Sequence, residues 1–398
     1  MYENLAILAV LAFAFSVVSG RIERSIITGP MIFLAFGLVA GPYGLGFLNS
    51  DVKAVELRVI ADLTLALVLF IDAANTDLVT LRSHARIPLR LLLIGLPLCI
   101  ALGVGVGMVV FPGIALLEVC ILATMLAPTD AALGKGVVTN KAVPGRIREG
   151  LNVESGLNDG ICVPVLLVFL TLATGAGGDN SSSALALELV AREIGVGAGV
   201  GVVMTLLGVK VISICAKRGW FTDVWKQIPV VSLALACFAT AQSLHGSGYI
   251  AAFVGGLLFG HFAKEHTHKL VMAGEGISEL LSLLTWVLFG GMVGKYLPGI
   301  TLDVVIYSLL SLTLIRMLPA IIALAGLGEK LETKLFLAWF GPRGLATIVF
   351  CIIVANENLP SESVLIRAVI CTVTLCVLAH GLTANPWAKG IARRLKSD

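Results

Sequence analysis

Val153-Glu154-Ser155-Gly156-Leu157-Asn158-Asp159-Gly160 lies midway along an apolar run from about Ile147 to Gly175, long enough to cross a bilayer. Two carboxylates, a hydroxyl and an amide therefore stand at membrane depth. Ionisable groups are costly there, so the stretch reads as an ion or proton site whose complement comes from elsewhere in the chain. On a helix, Ser155 and Asp159 share one face, and Glu154 and Asn158 form the neighbouring stripe.

The composition around this stretch points the same way. With 398 residues, 58% of them hydrophobic and 13% charged, the chain is too apolar for a soluble protein. A net charge of +3 gives no case for a nucleic-acid partner. The 8 cysteines fall in or at the ends of apolar runs without Cys-x-x-Cys spacing, so they read as packing residues, and no metal or other cofactor is expected. The first apolar run starts at Leu5 with no basic segment before it, so it reads as a span and not a cleaved leader. About ten residues follow the last run, so no soluble regulatory module is expected.

The apolar runs number about thirteen, with rough extents 3–19, 26–41, 57–77, 87–111, 114–139, 147–174, 185–214, 227–244, 248–262, 276–296, 301–325, 332–355 and 362–384. The fold class is an all-α, multi-pass membrane protein. With the amino terminus outside, 21 of the 28 lysines and arginines fall in inner loops or the tail and 5 fall outside; Arg316 and Arg343 lie within spans. The positive-inside rule then gives an N-out, C-in protein of the cell (inner) membrane.

Other polar features carry less. The Gly/Ser-rich segment 175–183 reads as a flexible loop. The inner loop with His261, His266 and His268 offers a pH-sensing role, against the simpler reading of a solvated loop. Asp62, Glu188, Glu193 and Glu279 are placed near helix ends, and His245-Gly246-Ser247-Gly248 in a short turn.

Two spans carry a proline and a charge in their middles. The fifth holds Leu126-Ala127-Pro128-Thr129-Asp130, and the twelfth holds Phe340-Gly341-Pro342-Arg343-Gly344. Each proline removes a backbone donor and crowds the preceding turn, so each helix is expected to break. The spans lie seven apart, and an odd separation inverts topology. Interrupted helices at matching places of two inverted halves point to a transporter site. Where the breaks cross, Asp130 is expected to face positive half-helix ends and Arg343 negative ones. Carbonyls freed near Thr129 become possible cation ligands.

Taken together, Glu154-Ser155-x-x-Asn158-Asp159, the Thr129-Asp130 break and the Arg343-Gly344 break resemble NhaP-type sodium/proton antiporters of the monovalent cation/proton antiporter superfamily. The resemblance covers nearly the whole chain. It implies an NhaA-like fold with two broken, crossing helices, and a homodimer. The dimerisation domain takes residues 1–80 and 226–297, a mobile core takes 86–175 and 300–390, and a linking helix takes 184–216. It implies that Asp159 binds either cation or proton, supported by Asn158, Ser155, Thr129 and Asp130. Asp72, in Ile71-Asp72-Ala73, stands where relatives often place an acid. Glu154 is implied to be a structural charge paired with Arg316 or Arg343, with Arg316 preferred. One departure is that Pro128 precedes Thr129, whereas the family often has proline after Thr-Asp.

The expected activity is exchange of a monovalent cation, Na+ or else Li+ or K+, for H+ by alternating access. Hydroxyl, amide, carboxylate and carbonyl oxygens suit such a cation, and no ATP motif of the Gly-x-x-x-x-Gly-Lys type is present. K+/H+ exchange as the main activity is the nearest alternative. From a different class, an intramembrane aspartyl protease would need two carboxylates sharing a proton, but its Gly-x-Gly-Asp motif is missing. A channel lacks its repeated pore loop.

Overall fold

A computed structural model of the chain describes residues 2–22, 25, 27–48, 54–75, 86–130, 133, 143–174, 183–222, 225–263 and 267–394. In lipid, backbone polar groups must pair within their own segment, which favours helices. Among the described residues the regular structure is helical throughout. The helices are α1 (Tyr2–Ile22), α2 (Gly29–Ala40), α3 (Ala54–Asn75), α4 (Arg86–Val110), α5 (Leu116–Met125), α6 (Gly145–Thr174) and α7 (Ser183–Lys217). They continue with α8 (Ile228–Ser243), α9 (Gly248–Ala263), α10 (Thr267–Tyr296), α11 (Leu302–Ala323), α12 (Leu331–Trp339), α13 (Leu345–Val354) and α14 (Glu362–Arg394).

The thirteen runs map onto these elements in order. The twelfth divides into α12 and α13, as its proline requires. The fifth ends as a helix at Met125, and the inner part of that run, residues 131–139 apart from Leu133, lies outside the described residues, as do segment 175–182 and His266. Seven helices are long and apolar enough to cross a membrane, and five shorter apolar ones accompany them, α5 and α13 included.

Packing divides the chain into two compact units. One comprises Met1–Arg58, His84–Asn158 and Ser282–Asp398; the other comprises Val59–Ser83 and Asp159–Leu281. In the first, α13 is buried along all ten residues, and α5 is buried from Glu118 to Met125. That is the fate of a helix that is apolar all round but short. By contrast, α1 is long and apolar enough to cross a membrane and has no buried residue. In the second unit α7, α8 and α9 pack against one another. Asp62 is not at a helix end: it sits within α3 and accepts the Tyr249 hydroxyl of α9 at 2.5 Å. His245-Gly246 forms the expected turn, closed by Gly246 N–H to Ala241 O at 2.8 Å.

The first unit also shows the internal repeat. Both α4 and α11 contain one π-helical turn, at Leu91–Gly95 and Ser311–Ile315. Pro97 and Pro319 follow these turns. A proline in a helix clashes with the carbonyl four residues back, here that of Leu93 and of Ile315, and in both cases that residue lies in the widened turn. The fourth and eleventh spans, like the fifth and twelfth, are seven apart.

Candidate ion-binding site

The first break forms where Pro128 withholds a backbone donor and disfavours helical geometry at Ala127. Leu126 N–H to Leu122 O and Ala127 N–H to Thr124 O close the last turn of α5, and Pro128–Asp130 then run as irregular backbone. The second break starts with a tight turn. Gly341 N–H bonds Trp339 O at 2.8 Å about Phe340, whose φ of −80° and ψ of 56° are those of an inverse γ-turn.

The two breaks are joined directly. Asp130 N–H donates to Pro342 O at 2.7 Å, and Leu345 N–H donates to Asp130 Oδ2 at 2.9 Å. Asp130 thus satisfies a free amide at the N-terminus of α13, where a negative charge is favoured. Arg343 is buried, and its Nη1 donates to Gly341 O at 2.8 Å, on the other side of the break. Two glycines make this approach possible. A Cβ at Gly344 would overlap the Asp130 carboxylate, and one at Gly341 the Arg316 guanidinium. Gly344→Ala is therefore expected to displace Asp130 and to lower the melting temperature in detergent by the equivalent of about 1–3 kcal/mol. Melting identical to the parent would mean that the breaks do not touch this way.

α6 supplies the polar face to the first break. Ser155 Oγ donates to Thr129 O at 2.6 Å, and Asn158 Nδ2 donates to Thr129 Oγ1 at 2.5 Å. Asn158 Oδ1 is buried and accepts no hydrogen bond among the described residues. Asp159 follows on the same helix, one turn beyond Ser155, and is 7% exposed. Glu154 faces Arg316, not Arg343. Arg316 Nη1 lies 2.7 Å from Glu154 Oε1 and Nη2 lies 3.0 Å from Oε2, a two-bond ion pair with both side chains 3% exposed. Arg316 stands at the end of the π turn of α11.

Of the residues singled out in the sequence, Thr129, Asp130, Glu154, Ser155, Asn158, Arg316 and Arg343 thus share one network in the first unit. Asp72 belongs to the second unit, exposed near the C-terminal end of α3. Sequence reasoning took Cys376 of α14 for a packing residue and passed over His380, yet both touch the second break: Arg343 N–H donates to Cys376 Sγ at 2.9 Å, and His380 Nε2 lies 2.8 Å from Trp339 O. A histidine inside an apolar span, four residues after a cysteine, was the available signal. Glu118, 3% exposed in the first turn of α5, was also passed over; its Oε1 accepts Ser361 N–H at 3.3 Å, just before α14.

Comparisons with known proteins bear on this arrangement. Residues 7–390 match the family described as "Sodium/hydrogen exchanger, transmembrane". The chain is 21% identical over 401 residues to the "K(+)/H(+) antiporter NhaP" of Alkalimonas amylolytica, covering 99% of this chain and 66% of the relative. It is 26% identical over 383 residues to the "Na(+)/H(+) antiporter 2" of Zygosaccharomyces rouxii, covering 87% of this chain and 45% of the relative. The chain thus spans less than two thirds of the length of these relatives. Among solved structures it is similar to the sodium proton antiporter MjNhaP1 from Methanocaldococcus jannaschii at pH 8. The TM-score is 0.79 at 19% identity, over 96% of this chain and 99% of that one. At that identity the likeness shows the fold.

Proposed function

We propose, because the chain belongs to the sodium/hydrogen exchanger transmembrane family, that it exchanges a monovalent cation for H+ by alternating access. The observation that carries this reading is the direct contact of the two breaks, Pro128–Asp130 and Phe340–Gly344, with the first of them held by a polar face of α6. Hard monovalent cations take oxygen ligands. Thr129, Ser155 and Asn158 offer hydroxyl, carbonyl and amide oxygens, and the Asn158 Oδ1 is buried with no hydrogen bond among the described residues. Asp159 is the group for which cation and proton compete, and Asp130 supports the site by holding α13. Only a loaded core crosses, driven by the opposing gradient.

Na+ is the first cation to test. K+ as the main substrate is a second reading, favoured by the names of the NhaP and NhaP2 relatives of Alkalimonas amylolytica and Shewanella. The protein sits in the cell (inner) membrane, N-out and C-in, with residues 1–80 and 226–297 as the dimerisation domain and residues 86–175 and 300–390 as the mobile core. The test is fluorescence dequenching in everted vesicles. NaCl or KCl addition is expected to collapse a preformed proton gradient, and no response to either salt would overturn the reading.

Stoichiometry follows from which group of the proposed site loads. Glu154 is committed to Arg316, arginine does not lose its proton in proteins, Asp130 serves the Leu345 amide, and an amide at 158 carries no proton charge. With Asp159 as the loading group, exchange is one for one and electroneutral. In proteoliposomes, the Na+ gradient at which proton flux reverses should not move when about ±100 mV is imposed, worth roughly 2.3 kcal/mol per charge moved. A reversal point that tracks voltage would require a second carrier.

A further inference from the structure

One face of α14 holds the second helix break. Cys376, His380 and Thr383 stand at i, i+4 and i+7 on that face. Each meets a polar group of the break or of the residue before it. Cys376 Sγ accepts Arg343 N–H at 2.9 Å, His380 Nε2 lies 2.8 Å from Trp339 O, and Thr383 Oγ1 accepts the Trp339 indole N–H at 3.0 Å. The His380 ring stacks on Trp339, with centroids 4.9 Å apart and planes at 23°, and the residue is 1% exposed.

Both ring nitrogens face a carbonyl: Nε2 lies 2.8 Å from Trp339 O, and Nδ1 lies 3.0 Å from Cys376 O and 3.2 Å from Cys376 Sγ. A neutral ring carries one hydrogen, and we place it on Nε2, which has the shorter contact and no donor beside it, so that it donates to Trp339 O. Nδ1 then accepts, and the thiol S–H is its donor. A directed chain results: Arg343 N–H to Sγ, S–H to Nδ1, and Nε2–H to Trp339 O. The Trp339 carbonyl is one that the C-terminus of α12 leaves free. It also accepts Gly341 N–H in the γ-turn. That turn aims the segment whose Pro342 carbonyl accepts Asp130 N–H, and α13 then begins at Leu345, whose amide the Asp130 carboxylate accepts.

We propose that His380 is a positioning residue for ion exchange. It acts on the Trp339 carbonyl directly, and on the Arg343 amide through Cys376. By both routes it sets the direction of Phe340–Gly344, against which the Thr129–Asp130 break rests. The inference builds on the exchange activity proposed above.

The test compares His380→Ala with His380→Gln, whose side-chain amide can still donate to the Trp339 carbonyl, in the full chain after purification and reconstitution. Deuterium uptake by peptides spanning residues 339–345 reads the break whether or not the protein transports. The half-saturating Na+ or K+ concentration and the maximal rate read the consequence. His380→Ala should speed uptake in those peptides. It should also raise half-saturation roughly five- to tenfold, the scale of one lost hydrogen bond, while the maximal rate changes much less. His380→Gln should return both readings most of the way. If the alanine protein does not fold, His380→Leu, which fills the volume and donates nothing, replaces it with the same expectations. Unchanged uptake in the non-donating variant overturns the proposal. So does faster uptake with unchanged half-saturation, and so does a glutamine variant no better than alanine. Parent protein that exchanges no ions would sink the functional reading, and the deuterium result would then show whether His380 holds the break.

Discussion

Asp159→Asn is expected to abolish Na+- and K+-dependent proton movement, down to the level of empty vesicles, in a protein that still inserts and melts close to the parent. The substitution keeps shape and one oxygen but removes both functions asked of the group. An amide cannot take up a proton between pH 5 and 9, and it cannot balance a cation in a medium where charge is expensive. The fold is expected to tolerate the change, because Asp159 occupies one position of a long helix that buries apolar residues such as Cys162, Val163 and Leu166. Two measurements decide the matter: dequenching in everted vesicles and a melting curve in detergent. Residual cation-dependent proton flux in a folded Asp159→Asn protein would move the shared site elsewhere.

The second large effect is on stability. Glu154→Gln and Arg316→Gln should each lower stability by about 3–5 kcal/mol, because either one leaves a buried charge without its counter-charge. The pair is bidentate and 3% exposed on both sides, so water cannot take the place of the missing partner. Replacing both at once should cost clearly less than the two losses together, since the double change leaves no unpaired charge. Arg316→Gln has an added consequence. The guanidinium fills the space over Gly341, so its loss also slackens the second break. A double-mutant cycle by thermal melting checks this. Additive losses, or single variants that melt with the parent, would mean that the two charges do not depend on each other.

Much of this molecule could be read locally. Run length and charge placement located the spans, because crossing lipid demands about twenty apolar residues and tolerates few charges within them. Pro128 and Pro342 marked both breaks, because a proline's missing donor and ring clash act on its own helix whatever packs around it. The polar stripe of α6 was visible for the same reason, since spacing along one helix fixes which side chains share a face. Other features were out of local reach. The sequence left Glu154 a choice of Arg316 or Arg343; the choice fell to Arg316 because the π turn of α11 and the bare Gly341 bring that guanidinium to the carboxylate. Asp62 read as a helix-end residue, yet it meets Tyr249, 187 positions away.

The sequence by itself determined the order of the apolar helical segments, where two of them must break, and which helix carries the polar stripe from Glu154 to Asp159, because each depends on the chemistry of a single segment. The tertiary structure alone decided the partners. Asp130 caps α13, Arg316 neutralises Glu154, and His380 with Cys376 holds the turn after Trp339. Buried polar groups must find complements within about 3 Å. Which group arrives depends on how helices far apart in the chain cross, and no local pattern encodes that.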